Sequence, residues 1–303
     1  MKPHYYSVNE YIKDTYGCKL YKLALNGGMS CPNRDGLIDT RGCIFCSAGG
    51  SGDFAASAMD SISEQIDHAK ALISSKYHGS QYIAYFQAYT NTYAEVDYLK
   101  SIFTEAITRD DIAILSIATR PDCLSLDVLE LLSELNKIKP VWIELGLQTI
   151  HGRTAEYIRR GYALPVFENA VRELHQRKIQ VIAHMILGLP GESHEMMLET
   201  ANYLAHQDLF GIKLQLLHVL KGTDLAIDYN RGTFSVMEMN DYIQCIGEIL
   251  EILPPNMTIH RLTGDGPKQL LIAPQWSANK KLVMNTMNQY FRDHKIIQGR
   301  NYQ

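Results

Sequence analysis

The chain has 303 residues, of which 46% are hydrophobic and 20% charged, an ordinary globular balance that excludes a disordered, collagenous or coiled-coil protein. Its 29 basic and 33 acidic residues leave a net charge of −4, so any contact with nucleic acid has to come from a local patch. No apolar run reaches the roughly 18 residues needed to span a bilayer. The first residues lack the apolar stretch of a secretory signal, which sets the expectation of a cytoplasmic chain with no membrane partner.

Strands are expected at 20–26, 81–87, 112–119, 141–147, 180–187 and 212–219. Helical periodicity follows or intervenes at 61–77, 94–108, 125–138, 165–178, 194–207, 239–252 and 278–293. Most of the strands are apolar on both faces, as parallel strands covered by helices require. Ser61 with Glu64 forms a capping box, each side chain satisfying a free amide of the other, and Ser125 and Ser193 are expected to cap their helices. Six βα repeats with right-handed crossovers give either a doubly wound sheet or a partly closed barrel. Pro254-Pro255 ends the sixth unit. Residues 1–255 are therefore expected to form the α/β body, with 1–19 packed on it, and 256–303 an extension on the same core.

In parallel α/β folds ligands collect at the carboxyl ends of the strands, and the unusual residues lie there. Cys31, Cys43 and Cys46 follow the first strand and Gln87-Ala88-Tyr89-Thr90-Asn91 the second. Thr119-Arg120-Pro121-Asp122 follows the third, Gln148 the fourth, and Gly188-Leu189-Pro190-Gly191-Glu192 the fifth. One rim loaded in this way points to one site.

Three of the six cysteines fall within 16 residues, which in a reducing compartment points to metal or catalysis rather than a disulfide framework. Cys43 and Cys46 form a Cys-x2-Cys pair, and Cys31 joins them across a gap of eleven residues. Three thiolates close three corners of a four-iron cluster and leave one iron open to a ligand with donor atoms. A structural zinc site, with Cys18 or a histidine as fourth ligand, uses the same pair, although zinc ribbons carry two such pairs and this chain has one. Cys18, Cys123 and Cys245 have no partner at ligand spacing and read as small buried hydrophobes.

With this triplet in the first of six βα turns, the chain resembles the radical S-adenosylmethionine (radical SAM) superfamily, its longer first gap being similar to that of the Elongator catalytic subunit branch. Cys31-Pro32-Asn33-Arg34-Asp35-Gly36, Gln87 to Tyr93, Thr119 to Asp122, Leu217 to Thr223, Thr263 to Pro267 and Leu270 to Lys280 resemble a small bacterial family of Elongator-like proteins over essentially the whole chain. The resemblance implies an α/β fold, a partial (β/α)6 TIM-type barrel with a C-terminal extension. It also implies a [4Fe-4S] cluster on Cys31, Cys43 and Cys46, with S-adenosylmethionine as cosubstrate. Phe45 then lies against adenine, with the turn at Gly188 and Gly191 nearby, His184 at the ribose and Gln148 at the ribose or methionine part. Arg160 is placed on the methionyl carboxylate, which a guanidinium holds bidentately. The second strand lacks the superfamily's Gly-Gly-Glu and Ala118 replaces a common glutamate, which leaves Gln87 or backbone carbonyls as the candidates for the amine; Thr119 completes the set.

Some members of that family are linked to tRNA wobble uridine. They remove the carboxymethyl group of 5-carboxymethylaminomethyluridine and leave 5-aminomethyluridine for a separate methyltransferase. The resemblance thus implies a tRNA-modifying enzyme with tRNA, a flavodoxin or ferredoxin as electron donor, and a downstream tRNA methyltransferase as partners. Arg34, Arg41, Arg120, Lys221 and Arg261 are candidate cations for the substrate's carboxylate, and Tyr89, Tyr93 and Phe54 candidates for stacking on an unpaired base. Lys280, Lys281, Arg292, Lys295 and Arg300 form a tail suited to backbone phosphates. A radical SAM enzyme acting on a small molecule and a non-catalytic zinc-binding scaffold are the competing readings.

Overall fold

The computed structural model describes residues 3–50, 52, 55–264 and 266–303. A helix absent from the sequence reading comes first: α1 (Val8–Tyr16), opened by a capping box of Ser7 and Glu10 and closed by Gly17 at φ 68°. It is followed by β1 (Tyr21–Leu25), α2 (Ile62–Ile73), β2 (Tyr82–Phe86), α3 (Val96–Ile107), β3 (Ile112–Thr119) and α4 (Leu126–Ile138). Next come β4 (Val141–Gln148), the short α5 (Gly152–Tyr157), α6 (Leu164–Gln176), β5 (Gln180–Leu187), α7 (His194–Ala205) and β6 (Gly211–Leu216). The chain continues through β7 (Val219–Leu220), α8 (Asp224–Asn230), α9 (Met239–Ile252), β8 (Thr258–Arg261), β9 (Leu271–Ala273) and α10 (Lys280–Asp293). Ser61 and Glu64 make the expected capping box, and Ser193 accepts from the Met196 amide. Ser125 makes no side-chain cap bond; α4 starts from backbone alone, the Leu129 amide donating to Ser125 O at 2.9 Å.

Seven parallel strands form one sheet in the order β1-β2-β3-β4-β5-β6-β8, and β7 pairs with β9 separately. Within this sheet each strand adjoins the next one the chain contributes to it, which decides between the two architectures. A doubly wound sheet reverses its strand order at a switch point; a barrel wound in one direction does not. With β1 and β8 as its two edges, the curled sheet is a partial TIM-type barrel. The expected count of six strands becomes seven. β8 lies beyond residue 255, in the stretch read as an extension, yet it pairs with β6, Gly211 opposite Thr258 and Lys213 opposite Arg261. A four-residue strand just after two prolines is too short to show a period of two.

The inner face of the half-barrel is layered along the strands. At their amino ends it is apolar and plugged: Leu20, Ile83, Ile114, Trp142 and Ile182 pack with Ile12 of α1. Two residues further along each strand, where the side chain returns to the same face, the sequence supplies Lys22, Tyr85, Ser116, His184 and Glu144 instead. The opposite faces carry the main core under the helices, with Leu23, Phe86, Ile117, Leu145 and Val181 among its members. The result is a barrel closed by hydrocarbon at one end and polar toward the other. Among the described residues no helix is long and apolar enough to cross a membrane.

Candidate active site

Cys31, Cys43 and Cys46 face one cavity of about 550 Å³ at the carboxyl ends of the strands. The eleven-residue gap folds back on itself: the Ile38 amide donates to Pro32 O at 2.8 Å and the Gly42 amide to Asn33 O at 2.6 Å, returning Cys43 toward Cys31. Asn33, buried, fastens this loop, its Nδ2 donating to Arg159 O at 2.7 Å and lying 3.4 Å from Cys43 Sγ. Arg34 Nη2 donates to Cys46 O at 3.0 Å and Ser47 O at 2.6 Å. This arginine staples the loop, so its guanidinium is already committed to carbonyls. Gly42 makes room for it: at φ 77° a Cβ would lie 2.9 Å from Arg34 Nε.

The donor set fits an iron–sulfur cluster. Burial pushes the Cys43 thiol up to about 12, and the neighbouring Cys46 and Cys31 add to the shift, so three thiolates require metal cations to coexist here. Among the described residues no three His, Cys, Asp or Glu side chains are placed to hold a single metal ion. A four-iron cluster takes its thiolates on separate irons, which three sulfurs around one cavity can satisfy. Cys18 is exposed between α1 and β1, not the buried hydrophobe expected, because the chain turns through solvent there; Cys123 is half-buried, and Cys245 is buried on α9.

Phe45, Gln87, Thr119, Gln148, Arg160 and His184 all line the same cavity. Phe45 leans on the apolar patch of Ile44, Ile158 and Ile186. A bulge between Gly146 and Gln148 in the pairing of β4 with β5 leaves Gln148 at φ 66°, and its Oε1 is buried without a donor among the described residues. A residue with a strained backbone and an orphan side-chain acceptor in a cavity is suited to receive a ligand's N–H or O–H. Gly146 leaves room beneath it: a Cβ there would meet Gln148 Nε2 at 2.6 Å and displace the amide.

Other expected contacts are already engaged. Arg160 Nη1 donates to Leu147 O at 3.0 Å and Thr149 O at 2.6 Å, and its Nε to Tyr162 O at 3.0 Å, so it braces the turn that carries Gln148. Gly188 does not line the cavity; at φ 81° a Cβ would meet Met237 Cγ at 3.0 Å, and the glycine serves the turn after β5. Arg120 forms a two-pronged pair with Asp122 at 2.9 and 2.7 Å, on the cavity wall. Tyr89 also lines the cavity, its hydroxyl donating to Ala48 O at 2.5 Å. Lys221 is exposed on the turn after β7 and Tyr93 is half-buried; neither lines the cavity. Arg41 is exposed near Asp39 and Asp224. Arg261 lines the cavity, and Phe54 lies outside the described residues.

The sequence reading missed the residue at the centre of the barrel. Glu144, fully buried, accepts from Lys22 Nζ at 2.8 Å and Ser116 Oγ at 2.9 Å, lies 2.8 Å from His184 Nε2, and also accepts from Lys213. Lys213 Nζ reaches Tyr85 OH at 3.1 Å. The signal was present as one charged residue in each of three apolar strands, Lys22, Glu144 and Lys213, but their pairing is visible only once the strands adjoin. His184, expected at a ribose, is thereby engaged by Glu144.

Burial and Lys213 push the His184 imidazole down to about 4 from 6.5, against the pull of Glu144. The folded value lies below the unfolded one, so the folded protein binds fewer protons across that window and loses stability as pH falls from about 6.5 through about 4. His184→Asn should flatten this part of the thermal-stability profile relative to the natural chain; an unaltered slope would mean the imidazole is not held neutral.

A half-barrel whose open end gathers three cysteines, an aromatic wall and an orphan acceptor is suited to an iron–sulfur enzyme that takes a cosubstrate. The family description “Radical SAM superfamily” matches residues 40–204, and “Radical_SAM C-terminal domain” matches residues 210–293. The chain belongs to the radical SAM superfamily, whose cofactors are a [4Fe-4S] cluster and S-adenosylmethionine. It is 44% identical to the uncharacterized protein YtqA of Bacillus subtilis (strain 168), over 99% of this chain and 93% of the relative. It is 26% identical to the tRNA uridine(34) acetyltransferase of Methanocaldococcus jannaschii over 52% of this chain and 29% of that protein. Among solved structures, Methanocaldococcus infernus Elp3 with an N-terminal deletion shares the fold, with a TM-score of 0.71 at 18% identity over 92% of this chain. The chain spans 64% of the length of that Elp3.

When bound, the cluster and S-adenosylmethionine supply reductive cleavage of a sulfonium and, from it, a carbon radical that takes a hydrogen atom from substrate. The protein's own part is positional: Cys31, Cys43 and Cys46 would hold the cluster, Phe45 and Gln148 line the cavity that would receive the cosubstrate, and the apolar plug of Trp142 and Ile182 closes the other end of the barrel.

Proposed function

We propose that this radical SAM enzyme modifies tRNA at the wobble uridine, removing the carboxymethyl group of 5-carboxymethylaminomethyluridine to leave 5-aminomethyluridine. The observation that carries this reading is the surface beside the cavity. A groove of about 1200 Å³ lined by Lys268, Lys280, Lys281 and Trp276 meets the cavity at Gly266 and Pro267, which line both. Among its described lining residues there is no carboxylate. On a chain of net charge −4, a basic groove running into the catalytic mouth suits a polyanion that delivers one nucleotide inward. Arg292, Lys295 and Arg300 of the expected basic tail do not line the groove, and Arg300 pairs with Glu251 at 2.7 Å. The likeness to Elp3 and to a tRNA uridine(34) acetyltransferase supports the same substrate class. A flavodoxin or ferredoxin supplies the electron, and a tRNA methyltransferase takes up the freed amine.

The test is incubation of anaerobic, reduced holoenzyme with S-adenosylmethionine and tRNA carrying 5-carboxymethylaminomethyluridine, followed by mass spectrometry of the nucleosides. The expected result is 5′-deoxyadenosine together with a nucleoside lighter by the carboxymethyl group. Formation of 5′-deoxyadenosine beside an unchanged nucleoside would remove this substrate. Binding of the tRNA should also weaken steeply with added salt, because the lysines displace counterions from phosphates.

A further inference from the structure

The polar layer of the barrel is unbalanced in charge. Its single carboxylate among the described residues, Glu144, is fully used: Oε1 by Lys22 and Ser116, Oε2 by His184 and Lys213. Against it stand Lys22, Lys213 and Arg261. The last of these makes no ion pair among the described residues, yet it is half-buried and lines the cavity.

Its orientation is built. Ile212 pairs with Ile259 and Lys213 with Arg261, so the register of β6 against β8 skips a residue between them. Ile259 belongs to the outward core, and simple alternation would send Arg261 outward as well. The bulge turns it inward, beside Lys213. A half-buried guanidinium at a cavity wall, with no counter-charge among the described residues, is costly unless a ligand brings one.

We infer that Arg261 and Lys213 form an anion subsite in the cavity that receives the carboxylate of the modified nucleotide. This deepens the tRNA reading and rests on it. The chemistry also separates substrate from product. The carboxymethylamino group brings a carboxylate to the two cations, while the aminomethyl product has lost that carboxylate and keeps only an amine, which they repel. Burial together with Lys22 and Arg261 presses the Lys213 ammonium down to about 7 against the pull of Glu144, and an arriving carboxylate would counter that pressure.

The experiment measures the affinity of anaerobic holoenzyme for two probes, tRNA carrying 5-carboxymethylaminomethyluridine and the same tRNA carrying 5-aminomethyluridine. The natural protein should prefer the first. Arg261→Gln should lose about tenfold of that preference, as expected for a charge-assisted hydrogen bond, and Arg261→Lys should restore part of it. Lys213→Met should also erode the preference, with iron content and the far-ultraviolet spectrum reporting on folding. A preference that survives Arg261→Gln, while tRNA is still converted, overturns the subsite and leaves the tRNA reading standing. Weaker S-adenosylmethionine binding with the preference intact would assign the two cations to the cosubstrate and overturn it too. A natural protein that neither discriminates nor converts either tRNA removes both.

Discussion

Replacing Cys43 by alanine is expected to give a folded protein that retains no four-iron cluster and produces no 5′-deoxyadenosine. Cys43 lies in a loop held by Asn33, Arg34 and the turns around Gly42, while the barrel core is assembled from strand and helix residues elsewhere. Loss of the sulfur would remove a cluster ligand without opening that core, so the thermal transition should move little while bound iron and sulfide fall to background. The comparison is Cys245→Ala. That cysteine is fully buried among the helix contacts of α9, so its loss should cost about 1 kcal/mol in packing and leave the iron in place. Equal iron loss in both variants would mean that the loop cysteines act through stability rather than ligation.

Glu144→Gln is expected to be the most destabilising polar substitution in the barrel, by about 3–5 kcal/mol, the usual cost of removing one partner from a buried ion pair. Two lysines converge on its carboxylate, and Lys213 is itself buried. Burial alone would raise the Glu144 pKa, but Lys213, Lys22 and His184 together hold it well below the usual 4.5. The sign follows from the lowered folded value. The contribution is fully present above about 4.5 and is lost as pH falls through the folded value. Adding Lys213→Met to Glu144→Gln should recover part of the loss, because the second change removes a charge left without its partner. Urea denaturation at neutral pH measures all three proteins. A Glu144→Gln midpoint equal to that of the natural chain would show that the network carries no net stability.

Much of this was legible because it is local. Apolar runs of the right length marked six of the seven parallel strands, and Ser61 with Glu64 and Ser193 marked helix starts that the structure keeps. The cysteine spacing pointed to one cavity, which the folded loop supplies. β8 escaped because Thr258–Arg261 is too short to display alternation, and α1 escaped although Ser7 and Glu10 spell the same capping box as Ser61 and Glu64. The ion network was out of reach for a different reason. Lys22, Glu144 and Lys213 meet only through the register of strands far apart in sequence. Side-chain commitment is equally non-local: nothing around Arg160 in the sequence says that Leu147 and Thr149 carbonyls already occupy its guanidinium. The inward turn of Arg261 depends on a bulge, and a bulge is a property of two strands together.

The most direct measurement is electron paramagnetic resonance on anaerobically reconstituted, reduced protein, recorded with and without S-adenosylmethionine and paired with metal analysis. Three cysteine ligands and one open iron predict about four irons per chain, a reduced-cluster signal that changes when S-adenosylmethionine is added, and 5′-deoxyadenosine in the same tube. Zinc in place of iron, or a cluster signal indifferent to S-adenosylmethionine, would contradict it.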